Sequence, residues 1–249
     1  MPHAVLTREI DAHSGYVAAL QALGLEVVPM PVTRTEPPRD QNALARALEH
    51  GGHAAIVIAS ARAAHALAAV VAQTNRPLPE VWAVGPATKR ALAAAGIRAQ
   101  HPPSAHDGAS LASAMLVQRD LAGRRVLVPR AEDGRDDAIA VLRAAGAEIV
   151  DVVAYRTVAT AVDDPALGPG MQLLASGRAA VCAVFAPSQV AALGGVMGPL
   201  DRLRVAFAAI GDTTGAVLRE AGVASVSVAT SPTPEGLAKA VAAVYPSRT

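Results

Sequence analysis

The sequence predicts an α/β protein whose parallel sheets come from a duplicated half, and three features carry that reading. Strand-like apolar runs alternate with helical segments over all 249 residues, as expected where helices cover parallel sheets. Leucine stands four residues before glycine at Leu20/Gly24, Leu92/Gly96, Leu142/Gly146 and Leu218/Gly222. The phrase "AVGPATKRALAAAGI" at 83–97 returns as "AIGDTTGAVLREAGV" at 209–223, with six identities in fifteen at an offset of 126.

The elements follow in chain order. "VLTRE" opens the chain with a strand ending at Arg8, and its counterpart "VLVPRAE" ends at Arg130, an offset of 122. Each Leu-x-x-x-Gly then closes a helix on a left-handed glycine and releases a β-type run: "LEVV", "IRAQ", "AEIVDVV" and "VASVSV". "AAIVIA", "RRVLVP", "AVCAVFA" and "RVAFAAI" are apolar throughout, which marks strands buried on both faces. Two proline-rich stretches, "PMPVTRTEPPRD" (29–40) and "TVATAVDDPALGPG" (157–170), occupy corresponding places after the first strand-helix-strand unit of each half and read as linkers. If they are crossings, each lobe mixes the start of one half with the remainder of the other. Two sequential lobes, 1–118 and 119–249, are equally compatible with the spacing.

Composition narrows the function. Hydrophobic residues make up 52%, much of it alanine, and aromatics only 2%, which favours closely packed helices. No apolar run approaches the roughly 18 residues needed to span a bilayer, and "MPHAVLTREIDAH" lacks the basic-then-apolar pattern of a signal peptide; a cytoplasmic protein is expected. A formal charge of +1 without a basic block argues against nucleic acid as a partner. Cys182 lies in a strand-like run and reads as a small buried hydrophobe. The seven histidines, His50 and His53 included, form no metal pattern and read as solvated loop residues. There is no G-x-x-x-x-G-K-[ST], G-x-G-x-x-G, H-E-x-x-H or G-x-S-x-G motif, so NTP hydrolysis, dinucleotide redox, zinc proteolysis and serine hydrolysis all lose their usual signatures. Neither a cofactor nor a metal is expected.

The segments that carry the repeat resemble the uroporphyrinogen-III synthase family. "VLVPRAEDGRDDAIAVLRAAGAEIVDVVAYRTV" resembles that family's strand, Pro-Arg, helix and Val-Tyr-Arg-Thr segment, "FAPSQVAAL" its Phe-Ser-Pro-Ser turn, "AIGDTTGAVLREAGV" its Ile-Gly-x-Thr-Thr helix, and "SPTPEGLAKAV" its closing helix. Ala59, Arg62 and Ala186 depart from the family's usual residues. The resemblance implies two flavodoxin-like lobes joined by a two-stranded hinge, 1–35 with 157–249 as one and 36–156 as the other. It also implies a monomeric lyase that closes hydroxymethylbilane, a polycarboxylate, with inversion of the last pyrrole ring.

Such a ligand needs donors, and helix N-termini supply them without net positive charge. The turns at Ser60, Thr88, Ser188 and Thr213–Thr214 each lead from a strand into a helix, at the carboxyl ends of the strands where α/β sheets bind ligands. Thr88, Thr214 and Ser188 are either substrate-binding or helix caps. Arg8 and Arg130 either face the ligand or pair with Glu9 and Glu132. Tyr155, after "EIVDVVA" and beside the second linker, is the residue the resemblance marks as catalytic; a phenol is protonated at neutral pH and can donate to a departing hydroxyl. A boundary tyrosine packing at a hinge is the structural alternative. The competing function is a non-enzymatic cytosolic two-lobed protein that binds small anions.

Overall fold

The computed structural model describes residues 1–10, 15–74 and 77–245. The chain divides into two compact units, one formed by Met1–Arg34 with Val158–Thr249 and the other by Thr35–Thr157. Each is an α/β layer structure around a five-stranded sheet.

In the first unit the strands are β1 (His3–Leu6), β2 (Glu26–Pro29), β8 (Ala179–Val184), β9 (Ala206–Ala209) and β10 (Val226–Val228), in the spatial order β10-β9-β8-β1-β2. All four pairings are parallel. Numbered within the unit, that order is 2-1-3-4-5, the flavodoxin arrangement. Alternate residues of each strand go to opposite faces. Val5, Cys182, Val184 and Phe207 pack with Leu174, Leu193 and Leu218 of α7 (Gly168–Ala175), α8 (Pro187–Met197) and α9 (Asp212–Glu220). Ala4, Leu6, Val181 and Ala183 pack with Leu20 of α1 (Tyr16–Gln21) and with Leu237 and Val241 of α10 (Pro234–Val244). Both sheet faces are thus dry, which is why these strands read as unbroken apolar runs.

The second unit holds β3 (Thr33–Glu36), β4 (His53–Ile58), β5 (Glu80–Ala83), β6 (Arg125–Ala131) and β7 (Glu148–Ala159), ordered β3-β7-β6-β4-β5. From β7 to β5 the pairings are parallel. Ala55, Val57, Val126 and Val128 face α5 (Gly108–Gln118) and α6 (Asp137–Ala144), while Ile56, Ile58 and Leu127 face α2 (Ala43–His50), α3 (Ala61–Thr74) and α4 (Gly85–Ala94). Here β6-α6-β7, the opening of the second half of the sequence, lies beside β4 and β5 from the first half. Interleaving is therefore what the fold adopts.

The duplication survives in detail. Asp107 caps α5 by accepting from the Ser110 N–H, and Thr233, 126 residues on, caps α10 by accepting from the Gly236 N–H. Gly24, Gly96, Gly146 and Gly222 all take positive φ at the ends of their helices, a conformation costly for any residue with a Cβ. Four expectations change. "IRAQ" contributes only a single bridge, Gln100 to Trp82. The two proline-rich stretches are not simple linkers, for the first contains β3 and β7 runs on to Ala159 in the second. Tyr155 consequently sits inside a 12-residue strand rather than just beyond one. His53 also departs from a loop histidine: it opens β4 and its Nε2 bonds the Ala47 carbonyl at 2.8 Å. Cys182 is fully buried, and burial pushes its thiol up to about 12, which removes it as a nucleophile at neutral pH.

Candidate functional site

In a parallel sheet every strand delivers its carboxyl end to the same edge, so the residues just past β1, β8 and β9 cluster in the first unit and those past β4, β5 and β6 in the second. Each cluster is described within its own unit.

In the second unit the apolar run of β4 ends at Ile58, and Ser60 turns the chain into α3. Its Oγ accepts from the Ala63 N–H at 3.1 Å, capping the helix, and lies 3.1 Å from the Tyr155 hydroxyl. Tyr155 is half-buried on β7 opposite Ala131, at a shift of register between Arg130 and Ala131. Its carbonyl accepts from the Glu132 N–H at 2.9 Å, and the Arg62 guanidinium stands 5.9 Å from its ring centre. Ser60, Tyr155, Arg130, His106, Asp107 and Arg135 line a cavity of about 270 Å³. A more open depression of about 820 Å³ beside β5 contains none of the residues predicted for the site.

Arg130 is engaged within this cavity. Its Nε and Nη2 donate to the Asp151 carboxylate at 2.7 and 2.8 Å, its Nη1 donates to the Gly134 carbonyl at 2.7 Å, and Asp136 lies 3.2 Å away. The Asp151 hydrogen bonds hold its ionisation above the ordinary arginine value. The predicted partner Glu132 instead pairs with Arg39 at 3.2 Å. Arg130 is reached instead by Asp151, which the sheet brings in from the neighbouring strand β7.

The first unit arranges the duplicated residues differently. Thr7, at the end of β1, places its hydroxyl 3.0 Å from the Ala183 carbonyl and 2.7 Å from Gln189 Oε1, and the same oxygen accepts from the Phe185 N–H at 2.9 Å. Arg8 follows and pairs with no carboxylate among the described residues, Glu9 included. Its guanidinium lies 5.6 Å from the Tyr16 ring centre and 5.1 Å from that of Phe185, two rings set edge-to-face. Ser188 and Thr213 are exposed in the first turns of α8 and α9.

Thr88 and Thr214 do not cap their helices. The caps of α4 and α9 fall on Val84 and Gly211, with no side-chain acceptor, which leaves the threonines inside the helices at 4% and 3% exposure. Proline in the first turn, which needs no amide hydrogen there, lets α4 start early. The caps of α3, α5 and α10 do carry side-chain acceptors. The first-turn N–H groups of α4, α8 and α9 are thus free of side-chain caps among the described residues. Sequence reasoning singled out neither Tyr16, Phe185 nor Asp151, and did not foresee the contacts that Arg62 and Gln189 make. The scarcity of aromatics was the available signal for Tyr16 and Phe185, since each of the few present is conspicuous. Among the described residues no cluster of ligating side chains suits a metal, and no helix is long and apolar enough to cross a membrane.

Comparison with known proteins gives one family. The family model for uroporphyrinogen-III synthase HemD matches residues 14–239. The uroporphyrinogen-III synthase of Synechococcus elongatus is 31% identical over 157 residues, which cover 61% of this chain and 59% of that one. The uroporphyrinogen-III synthetase of Helicobacter pylori superposes with a TM-score of 0.64 at 14% identity, covering 98% of this chain and 100% of the other. A mutant uroporphyrinogen III synthase from the extreme thermophile Thermus thermophilus gives 0.62 at 18% identity, with 98% of each chain covered. At these identities the structures show a shared fold.

Proposed function

The chain belongs to the uroporphyrinogen-III synthase family, and we propose that it is itself such a synthase, a lyase that cyclises hydroxymethylbilane with inversion of the terminal pyrrole ring. The single observation that carries this reading is the Ser60–Tyr155 hydroxyl pair at the carboxyl end of a parallel sheet. In this reading the bond between the terminal carbon and its hydroxyl breaks with the electron pair leaving on oxygen. The Tyr155 proton completes a water molecule. The conjugated cation left behind is captured by the substituted α-carbon of the last pyrrole, whose older bond to the neighbouring methylene then breaks. The cation so formed on that methylene is captured by the ring's other α-carbon, and the proton lost from that carbon as the ring recovers its conjugation returns to Tyr155. The balance is loss of one water, and no step calls for a cofactor.

The surroundings suit the proton's direction. Ala63 N–H donates to Ser60 Oγ, and when Ser60 in turn donates to the Tyr155 oxygen, the phenol's own hydrogen is released toward a ligand. All three donors then point the same way, out of the positive end of α3, an arrangement in which hydrogen bonds reinforce one another. Uncapped N-termini at α4, α8 and α9, with the exposed hydroxyls of Ser188 and Thr213, suit the substrate's carboxylates. Buried Thr88 and Thr214 support those turns. The stretches where the chain passes between its units, at 34–35 and 157–158, are the proposed two-stranded hinge. Freshly made hydroxymethylbilane supplied to the protein, with the products oxidised and separated, tests the reading: isomer III is expected. Isomer I alone, at the rate of buffer, would overturn it and leave the anion-binding protein as the better description.

A further inference from the structure

We propose that Arg8, framed by Tyr16 and Phe185, binds a carboxylate of the tetrapyrrole ligand, and that its duplicate Arg130 does not. The identity of the ligand rests on the synthase reading; the site itself rests on geometry. Arg8 lies just past β1 and Arg130 near the end of β6, at corresponding places in the two halves, yet their surroundings have diverged. Arg130 has Nε, Nη1 and Nη2 all engaged, two of them on the Asp151 carboxylate, so its charge and its fork are already used. Among the described residues Arg8 meets no carboxylate but two ring faces, at 5.6 and 5.1 Å. Such faces stabilise a cation without occupying its N–H groups. The planar edge of the guanidinium stays available for bidentate bonds to a carboxylate, which a ring cannot accept in its place.

The frame is held from behind. Tyr16 donates its hydroxyl to the Pro232 carbonyl at 3.2 Å. The Phe185 N–H and the Thr7 hydroxyl converge on one oxygen of Gln189, whose side chain is buried at 5% residue exposure. Thr7 adjoins Arg8, so this one amide ties the backbone that carries the cation to the backbone that carries the ring. Desolvation is the largest influence on Tyr16 and pushes its pKa above the ordinary phenol value, with the nearby Arg8 charge acting against it and Glu235 adding to it. The ring therefore stays neutral and does not become the counter-ion.

The test uses the full chain with the substitutions Arg8→Gln, Arg8→Lys and Arg130→Gln. Two readouts are taken: KM and kcat with freshly made hydroxymethylbilane, and the Kd of uroporphyrin III, the stable oxidised product, by fluorescence titration. Arg8→Gln is expected to raise both KM and Kd by about tenfold or more, the scale of a lost charged hydrogen bond, with kcat and the thermal midpoint little changed. Arg8→Lys should recover only part of the affinity, because an ammonium has no fork. Arg130→Gln should weaken Kd less than Arg8→Gln does and should lower the thermal midpoint. A uroporphyrin Kd unaltered by Arg8→Gln, or weakened equally by Arg130→Gln, overturns the proposal. The porphyrin titration needs no turnover, so a parent protein that made no isomer III would sink the synthase reading while this measurement still decided the Arg8 site.

Discussion

Replacing Tyr155 by phenylalanine removes one oxygen and leaves the ring, its packing in the β4–β6–β7 core and its position near Arg62 in place. The structural loss is one neutral hydrogen bond, to Ser60 at 3.1 Å, between half-buried groups, so stability should fall by no more than about 0.5 to 1.5 kcal/mol. The chemical loss should be larger. General acid catalysis supplies roughly a hundredfold to ten-thousandfold; because the bilane also sheds its hydroxyl unaided, we expect isomer III formation to slow by about tenfold to a thousandfold, or about 1.4 to 4.1 kcal/mol of barrier. Slower capture also lets spontaneous closure compete, so isomer I should rise as isomer III falls. The assay is initial rate and isomer ratio after oxidation, corrected for the folded fraction from the unfolding curve. Ser60→Ala sharpens it. That change removes the α3 cap at a cost of about 0.5 to 2 kcal/mol, but added to Tyr155→Phe it should slow the reaction little further, since both act through one hydroxyl. A Tyr155→Phe protein with parental rate and isomer ratio would refute the reasoning and leave Tyr155 as packing.

Other outcomes follow from particular contacts. Thr214→Ala should lose more turnover than Thr88→Ala, because "AIGDTTGAVL" keeps the fuller family pattern, and equal loss per folded molecule would remove that asymmetry. Gly236→Ala should unfold at markedly lower temperature, since an added Cβ would collide with the Ser231 carbonyl oxygen, whereas Gly194→Ala has open space and should gain up to about 1 kcal/mol from helix propensity; calorimetry separates the two. The Asp107 carboxyl is held below the usual carboxylate range, chiefly by the Ser110 hydroxyl and then by the Ser110 N–H. A depressed folded value means stability that is complete above the unfolded value and lost as pH falls through the folded one. Asp107→Asn, which keeps the capping oxygen, should therefore flatten the fall of thermal midpoint below about pH 4, and an unchanged acid slope would contradict the assignment.

Much of the fold was legible because its signals are local. A leucine one turn before a glycine reports a helix end wherever it occurs, for the backbone must turn left-handed there and only glycine does so freely. Apolar runs reported strands dry on both faces for the same reason, since every side of such a strand meets a helix. The candidate site was less legible because its key relations join distant residues. Ser60 and Tyr155 are 95 apart in sequence, Thr7 and Gln189 are 182 apart, and no periodicity links either pair. Cap positions were misjudged at Thr88 and Thr214 because a helix start depends on which residue first leaves the strand, and that is set by the sheet beneath it.

By itself, then, the sequence determined the α/β class, the duplication, the order of strands and helices along the chain and the turns that lead from strand into helix. It left open whether the halves fold as sequential lobes or exchange their first units, because each half offers the same apolar faces to either partner. Tertiary structure decided this by placing β6 and β7 beside β4, and β1 and β2 beside β8. It also decided what became of two arginines with one origin: carboxylates from neighbouring elements closed around Arg130, while among the described residues Arg8 meets two aromatic rings. Pair interactions of that kind depend on distance in space, which spacing along a chain does not encode.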